Sequence, residues 1–314
     1  WWPGGLLDLD PVARVRAVSL AFAAWSVLSV WAVYRWAGRS FGPAAAVAAA
    51  GLNIASIEMA HIGSHPLTET LATPLLRWGL YLADTSGARG NARARCIAAG
   101  MLLGACVFLR IQLAPAAAIG GLLLAWRSPG ERPVVLVLSA AAMLLAGGML
   151  DWVTLGTPFQ SVWLYVHLNI TEGVVSQFGV EPWYRYVAWW RDTWDLLFVP
   201  MLGLALLGAW RAPVLLVYAA AIAVPLFVIG HKEPRFAYPA MPFAMMLVAL
   251  GSVRVVQAVQ HRWAWAGMSP RAAGAAIAGA WLAAAVLLGL LSPGRPRWSA
   301  GVATGEALRQ VNAD

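Results

Sequence analysis

Between the apolar runs Val214–Gly230 and Ala237–Ser252 lie six residues, His231-Lys232-Glu233-Pro234-Arg235-Phe236, that gather three potential cations and one carboxylate. Ionisable groups beside membrane-like sequence are costly to place and usually functional. Lys232 is the only lysine in a chain whose Lys and Arg together number 22. A compact ammonium and a planar guanidinium can share the oxygens of a phosphate, and Glu233 can hold one of them in place. His231, Lys232 and Arg235 therefore read as ligands of an anion, with Glu233 in support. The alternative is anchoring of a helix end in the interface by its charges. Arg110, set in apolar sequence, must face a partner or an aqueous cavity. It offers a second cation to the same phosphate, or a partner for Glu58, Glu69 or Asp151.

These groups have to be positioned by membrane elements. The chain has 314 residues, 61% hydrophobic and 11% charged, with a mean hydropathy of +0.68. That composition belongs to an all-α polytopic membrane protein and excludes a soluble domain with a large core. We expect about eight to ten membrane helices, from runs of roughly 20 apolar residues or somewhat fewer. The net charge of +8 would suggest nucleic acid in a soluble chain. Here the arginines sit in short loops between apolar runs, so the positive-inside bias explains them and no nucleic-acid partner is expected. Cys96 and Cys106 form neither a disulfide framework nor a metal pattern, and no metal or other cofactor is expected.

The loops at 35–39, 89–95, 127–132, 211 and 254–271 hold eleven arginines and alternate with a second set. The second set contains the N-terminal loop, His61–Glu69, the long aromatic stretch Asp151–Asp195 and the hexapeptide. By the arginine bias the first set is cytoplasmic, which places the chemically interesting segments together on the extracytoplasmic face. Part of 151–195 is expected to lie along the interface as amphipathic helix. His61–Glu69 leads into a weaker amphipathic segment that ends near Asp84. Arg110 and Pro115 break a long apolar stretch into two short crossings or a kinked re-entrant pair.

His-Lys-Glu-x-Arg-Phe followed by a proline-bearing helix resembles the signature of glycosyltransferase family 22, the dolichol- or polyprenyl-phosphate-mannose-dependent mannosyltransferases of N-glycan and GPI-anchor assembly, which have bacterial relatives. The outer loop is similar as well. His167-Leu-Asn169-Ile-Thr-Glu172-Gly173 precedes Gln177-Phe-Gly179-Val-Glu-Pro182-Trp183-Tyr184, as the family places Asn and Gly before a Gly-x-x-Pro-Trp element. Asp151 at a helix end also has a family counterpart. Amides hydrogen-bond hydroxyls and an indole face stacks on a pyranose, so Asn169, Gln177 and Trp183 read as sugar contacts. Most of the neighbouring aromatics, Trp163, Tyr165, Tyr184, Trp189 and Trp190 among them, read as an interfacial belt. Glu69 and Asp151 complete the acceptor side, although a carboxylate at a helix end serves equally as a cap or a loop contact.

The resemblance implies one GT-C type glycosyltransferase domain over 1–314, of a bacterial member, in the inner membrane, or in the endoplasmic reticulum membrane of a eukaryote. It implies inverting transfer of mannose from a polyprenyl-phosphate donor to a lipid-linked glycan or glycolipid acceptor. The phosphate departs as charge develops on it, and His, Lys and Arg are worth most at that point. The family's general base lies in an acidic first outer loop. Trp2-Pro3-Gly4 resembles the stretch after that loop, and Asp8 and Asp10 fall too late in it, so the first membrane helix and the base are expected to lie upstream of this sequence. Other classes remain open on the residues alone: a lipid or sugar transporter or flippase with Arg110 and Glu58 at its centre, a GT-C enzyme for another sugar, or a silent lipid-phosphate binder.

Overall fold

The structure is a computed structural model that describes residues 11–87, 91–263 and 268–291. Among these residues thirteen α-helices form and no strand does. They run α1 (Pro11–Phe41), α2 (Pro43–Ala55), α3 (Ile57–Gly63), α4 (Thr68–Asp84), α5 (Ala92–Leu109), α6 (Ala114–Arg127) and α7 (Glu131–Leu155). There follow the short α8 (Gln160–Val166) and α9 (Arg185–Trp194), then α10 (Phe198–Arg211), α11 (Pro213–Val228), α12 (Met241–Trp263) and α13 (Pro270–Leu291). Six stretches are long and apolar enough to cross a bilayer, and α2 with α3 makes a seventh bent by 64° at Ser56. The shorter apolar helices 111–127 and 213–228 complete the set, in keeping with the helix number the hydropathy implies. This is the architecture of a polytopic membrane protein.

Local sequence sets the breaks. Pro43 and Pro213 start α2 and α11 at positions where the missing N–H has no helical partner to lose. Ser56 leaves the helix between α2 and α3 and caps α3 by accepting from the Met59 amide. Gly156, at φ 94°, ends α7 in the left-handed conformation that a side chain resists. Pro225 inside α11 cannot donate to the preceding turn and opens that helix beside the arginine-lined cavity.

Membrane helices associate through close packing rather than water exclusion, so small residues mark the tightest seams. A Cβ on Gly208 would stand 2.0 Å from the Leu247 carbonyl oxygen, and one on Gly251 2.0 Å from that of Leu204. Backbone meets backbone between α10 and α12, and only glycine permits it. The main hydrophobic cluster wholly encloses Trp36, Leu76, Leu80, Leu103, Leu215, Tyr218 and Phe243, and two small clusters, around Tyr238 and around Tyr186, stand apart from it.

α4 is the axis of the arrangement. At seventeen residues it is about 25 Å long, with Glu69 in its first turn and Asp84 at its end. The Asp84 end meets two of the arginine loops. Arg127 pairs with Asp84, Trp36 Nε1 donates to Asp84 Oδ2 at 3.0 Å, and Arg95 reaches Thr85. At the Glu69 end Arg110 and, from the hexapeptide, Arg235 approach the carboxylate. The amphipathic pattern of α4 points its polar residues inward: Thr70, Thr73 and Arg77 are buried along one face.

Candidate functional site

Arg110 stands where α5 stops. Its backbone is extended, φ −147° and ψ 93°, between Leu109 and the 3₁₀ turn Ile111–Leu113. The guanidinium crosses to α4, with Nη2 2.8 Å from Glu69 Oε1 and Nη1 donating to Thr68 Oγ1 at 3.3 Å. Glu69 is 2% exposed, so its charge needs this partner. Of the partners open to Arg110 in sequence, Glu69 is the one it meets. A second guanidinium approaches from the other side, with Arg235 Nε 3.9 Å from the same Glu69 oxygen.

Arg235 belongs to the 3₁₀ turn Pro234–Ala237, which Pro234 opens with its fixed φ. Glu233 takes the guanidinium as a fork, at 2.6 Å from Nε and 2.9 Å from Nη2. Its Oε1 also lies 3.2 Å from His231 Nε2. Burial alone would raise the Glu233 pKa, but the hydrogen bonds from His231 and Arg235 and the charge of Arg235 outweigh it and hold the carboxyl below the usual range. The other imidazole nitrogen, Nδ1, lies 3.1 Å from the Gly179 carbonyl oxygen, which ties the hexapeptide to the long loop. The Glu181 amide donates to Gly230 at 3.0 Å and strengthens that tie. Phe236 lies between the two arginines, each guanidinium 5.5 Å from its ring centre.

These side chains open into a cavity of about 770 Å³ whose walls include Arg110, His231, Glu233 and Arg235, together with Asn169, Phe178 and Pro225 of α11. Two guanidiniums and an imidazole in a lining that is otherwise mostly apolar suit a phosphate carried on a lipid. Gln112, which the sequence reading does not single out, and Tyr165, which it assigns to the interfacial belt, also line it. Gln112 donates to the Tyr165 hydroxyl, and burial pushes the Tyr165 phenol up, so the hydroxyl stays protonated and able to donate. Gln112 follows Arg110 by two at a break in apolar sequence, and Tyr165 precedes Asn169 by one helical turn; those spacings were the available signal.

The remaining expected residues divide. Asn169 sits in a single π-helical turn, His167–Thr171, of the kind often found at functional sites. It lines the cavity while its Nδ2 donates to the Tyr165 carbonyl at 2.8 Å. Lys232 departs from the expectation. It is 5% exposed, and its ammonium caps the open end of α11, donating to Leu226 at 3.1 Å, Phe227 at 3.2 Å and also Ile229. Burial pushes its pKa down, with Glu181 opposing. Asp151 ties α7 to α8, its Oδ2 accepting from the Ser161 amide at 2.9 Å and hydroxyl at 2.6 Å. Gln177 is exposed and does not line the cavity. Trp183, 68% exposed, packs edge-on against Tyr184 and Phe227 outside it. Glu58 is buried against Ser56 and Trp194, away from Arg110. Asp8 and Asp10 lie outside the described residues. Among the described residues no group of three His, Cys, Asp or Glu could hold a metal.

The fold has solved neighbours. ArnT from Cupriavidus metallidurans, bound to undecaprenyl phosphate, superposes with a TM-score of 0.59 at 13% identity, over 87% of this chain and 57% of that one. The same protein in its apo state gives 0.54 at 14% identity, over 86% and 62%. In sequence, GPI mannosyltransferase 3 of Yarrowia lipolytica is 30% identical over 115 residues, 36% of this chain and 22% of that protein. The chain thus spans about a fifth of that relative's length and less than two thirds of the solved neighbour's. The profile of the Alg9-like mannosyltransferase family, however, matches residues 5–293. With nearly the whole chain covered and the hexapeptide walling an arginine-lined cavity, the chain belongs to the Alg9-like mannosyltransferase family.

Proposed function

We propose that the protein transfers a mannosyl residue, with inversion, from a polyprenyl-phosphate-mannose donor to a lipid-linked glycan or glycolipid, on the extracytoplasmic side of the membrane. The observation that carries this reading is the approach of Arg110 and Arg235 to one buried carboxylate, Glu69, at the head of a cavity that is otherwise mostly apolar. A lipid phosphate matches that pattern, its charge against the guanidiniums and its chain against the walls. Family membership and the likeness to a fold solved with undecaprenyl phosphate support it.

The chemistry follows from the placement. As the glycosidic bond breaks, negative charge grows on the departing phosphate, and two preorganised guanidiniums lower that barrier most if they are fixed before the reaction. Glu69 and Glu233 do the fixing. The phosphate must also compete with Glu233 for the donors of Arg235, so binding loosens the Glu233 fork, and His231 keeps the freed carboxylate solvated by a hydrogen bond. Arg127 and Arg95, from two of the arginine loops, lie at the Asp84 end of α4, and Arg110 of the cavity wall lies at the Glu69 end, which supports an active site on the side opposite those loops. The scheme calls on no metal, and the base that activates the acceptor hydroxyl is not assigned to a described residue.

The test is transfer of radiolabelled mannose from polyprenyl-phosphate-mannose in membranes containing the full-length protein. Arg110→Ala or Arg235→Ala should each lower kcat/KM by about 100-fold or more at equal protein level. Wild-type rates in both variants would remove the cavity from the reaction.

A further inference from the structure

The turn Pro234–Ala237 has a second side. In a 3₁₀ turn residues three apart share a face, and here Glu233, Arg235 and Phe236 line the phosphate cavity while Pro234 and Ala237 line another. This second chamber, about 440 Å³, lies between α3 and α9. Its walls carry the carboxylates of Glu58 and Asp192, the Arg185 guanidinium and the indoles of Trp189 and Trp190. Glu58 is 5% exposed; Oε1 accepts from Trp194 Nε1 at 2.9 Å and Oε2 from the Ser56 hydroxyl at 2.8 Å, which fixes its carboxylate at the chamber wall. Arg185 lies 4.9 Å from the centre of the Trp189 ring. The Trp190 indole N–H is buried and finds no acceptor among the described residues, a donor left for something not yet there.

The chamber does not end in protein. Tyr186, Trp190, Ala237 and Met241 also line an apolar groove of about 290 Å³ between α10, α11 and α12. Its floor and walls are short side chains, Ala219, Ala220, Ala223 and Ala244 among them, with Leu206 and Leu216 at the sides. Within the membrane such a groove suits a hydrocarbon chain. Two carboxyl groups, a guanidinium and indole faces suit a sugar, whose hydroxyls need acceptors and donors and whose CH face stacks on aromatic rings. Polar chamber and apolar groove joined through four shared residues match a molecule with both parts.

We propose that the chamber and groove together bind the acceptor, a glycolipid whose sugar head sits against Trp189, Trp190 and Glu58 and whose chain runs down the α10–α12 groove. The inference rests on the reading that the other cavity takes the donor phosphate. The 3₁₀ turn of the hexapeptide is then the partition between two substrates, presenting Arg235 to one and Pro234 to the other. A soluble sugar leaves the groove empty, and a bilayer lipid leaves the chamber's charges unused.

The experiment uses the full-length protein in phosphatidylcholine nanodiscs and a dodecyl mannoside carrying a diazirine in its chain, with labelled peptides mapped by mass spectrometry. Label should concentrate on 202–209, 219–227 and 240–247, and excess dodecyl mannoside should suppress it where methyl mannoside does not. Ala223→Trp fills the groove and should reduce the label at least tenfold while undecaprenyl phosphate binding is unchanged; Ala220→Leu reads the same if the larger residue prevents insertion. Trp190→Ala should weaken the dodecyl mannoside without changing labelling by a plain diazirine fatty acid. Label spread evenly over the outer helices, indifference to both groove variants, or joint loss of undecaprenyl phosphate binding would overturn the proposal. The donor reading stands or falls separately, on whether Arg110→Ala and Arg235→Ala lose undecaprenyl phosphate.

Discussion

Lys232 and Arg235 lie three positions apart in one motif and do different work. Three carbonyls at the end of α11 take the Lys232 ammonium, whereas Arg235 faces the cavity. Lys232→Ala should therefore cost stability, about 1–3 kcal/mol for unsatisfied buried carbonyls, and lower the melting temperature of purified protein while the surviving fraction still binds the donor. Glu233 has its own signature in pH. Its folded-state pKa is held below the ordinary value by His231 and Arg235, so the stability it contributes is present above the unfolded value, near 4.3 for glutamate, and is lost as pH falls through the folded pKa. Melting curves of wild type and Glu233→Gln should differ at pH 7 and converge as pH is lowered below about 4. At this scale the sequence showed which residues were chemical but not which way each pointed. Residue type makes Lys232 and Arg235 equivalent cations, and only the open helix end at Pro225 and Val228 separates them.

Elements were more legible where hydropathy decides and less where packing does. The runs at α1, α7, α12 and α13 are evident from length and apolarity, and Arg110 marked the break between α5 and α6. α4 was harder. In sequence it is only a weaker amphipathic segment, yet Thr70, Thr73 and Arg77 are buried and the helix is central. In a bilayer the polar face turns inward, the reverse of the soluble rule. Arg77 shows what this implies, a buried guanidinium beneath the Phe243 ring, 5.7 Å from its centre. The α10–α12 seam gave no chemical signal at all, since Gly208 and Gly251 read as ordinary glycines in apolar helices. Their neighbours are backbone carbonyls at 2.0 Å from an added Cβ, so nothing flexible can yield. Gly251→Val should destabilise by upwards of about 1–3 kcal/mol, the usual cost of overpacking, and a loss of folded protein by size-exclusion chromatography reads it out. A variant at Gly203, where a Cβ meets nothing within 4 Å, should behave as wild type.

Across the whole molecule, a cluster of charged residues stands at each end of α4. Arg127, Asp84 and Trp36 meet at one, and Glu69, Arg110 and Arg235 at the other. The alternation of arginine loops gives an expectation of sidedness, because charge bias acts on every loop and does not depend on any single helix boundary. What loop order could not convey is that His61–Glu69, the long aromatic loop and the hexapeptide meet around two cavities instead of one. Cysteines placed at exposed positions test the sidedness. Gln177→Cys should react with a membrane-impermeant maleimide added outside intact cells, and Arg93→Cys only after lysis; both native cysteines are buried and should stay silent. The claim on which the functional account depends is that Arg110 and Arg235 hold a lipid phosphate, and equilibrium binding of radiolabelled undecaprenyl phosphate to the purified full-length protein tests it most directly. The account predicts saturable binding that weakens at least tenfold in Arg110→Ala and in Arg235→Ala and is retained by folded Trp183→Ala. Equal binding by all four proteins would contradict it.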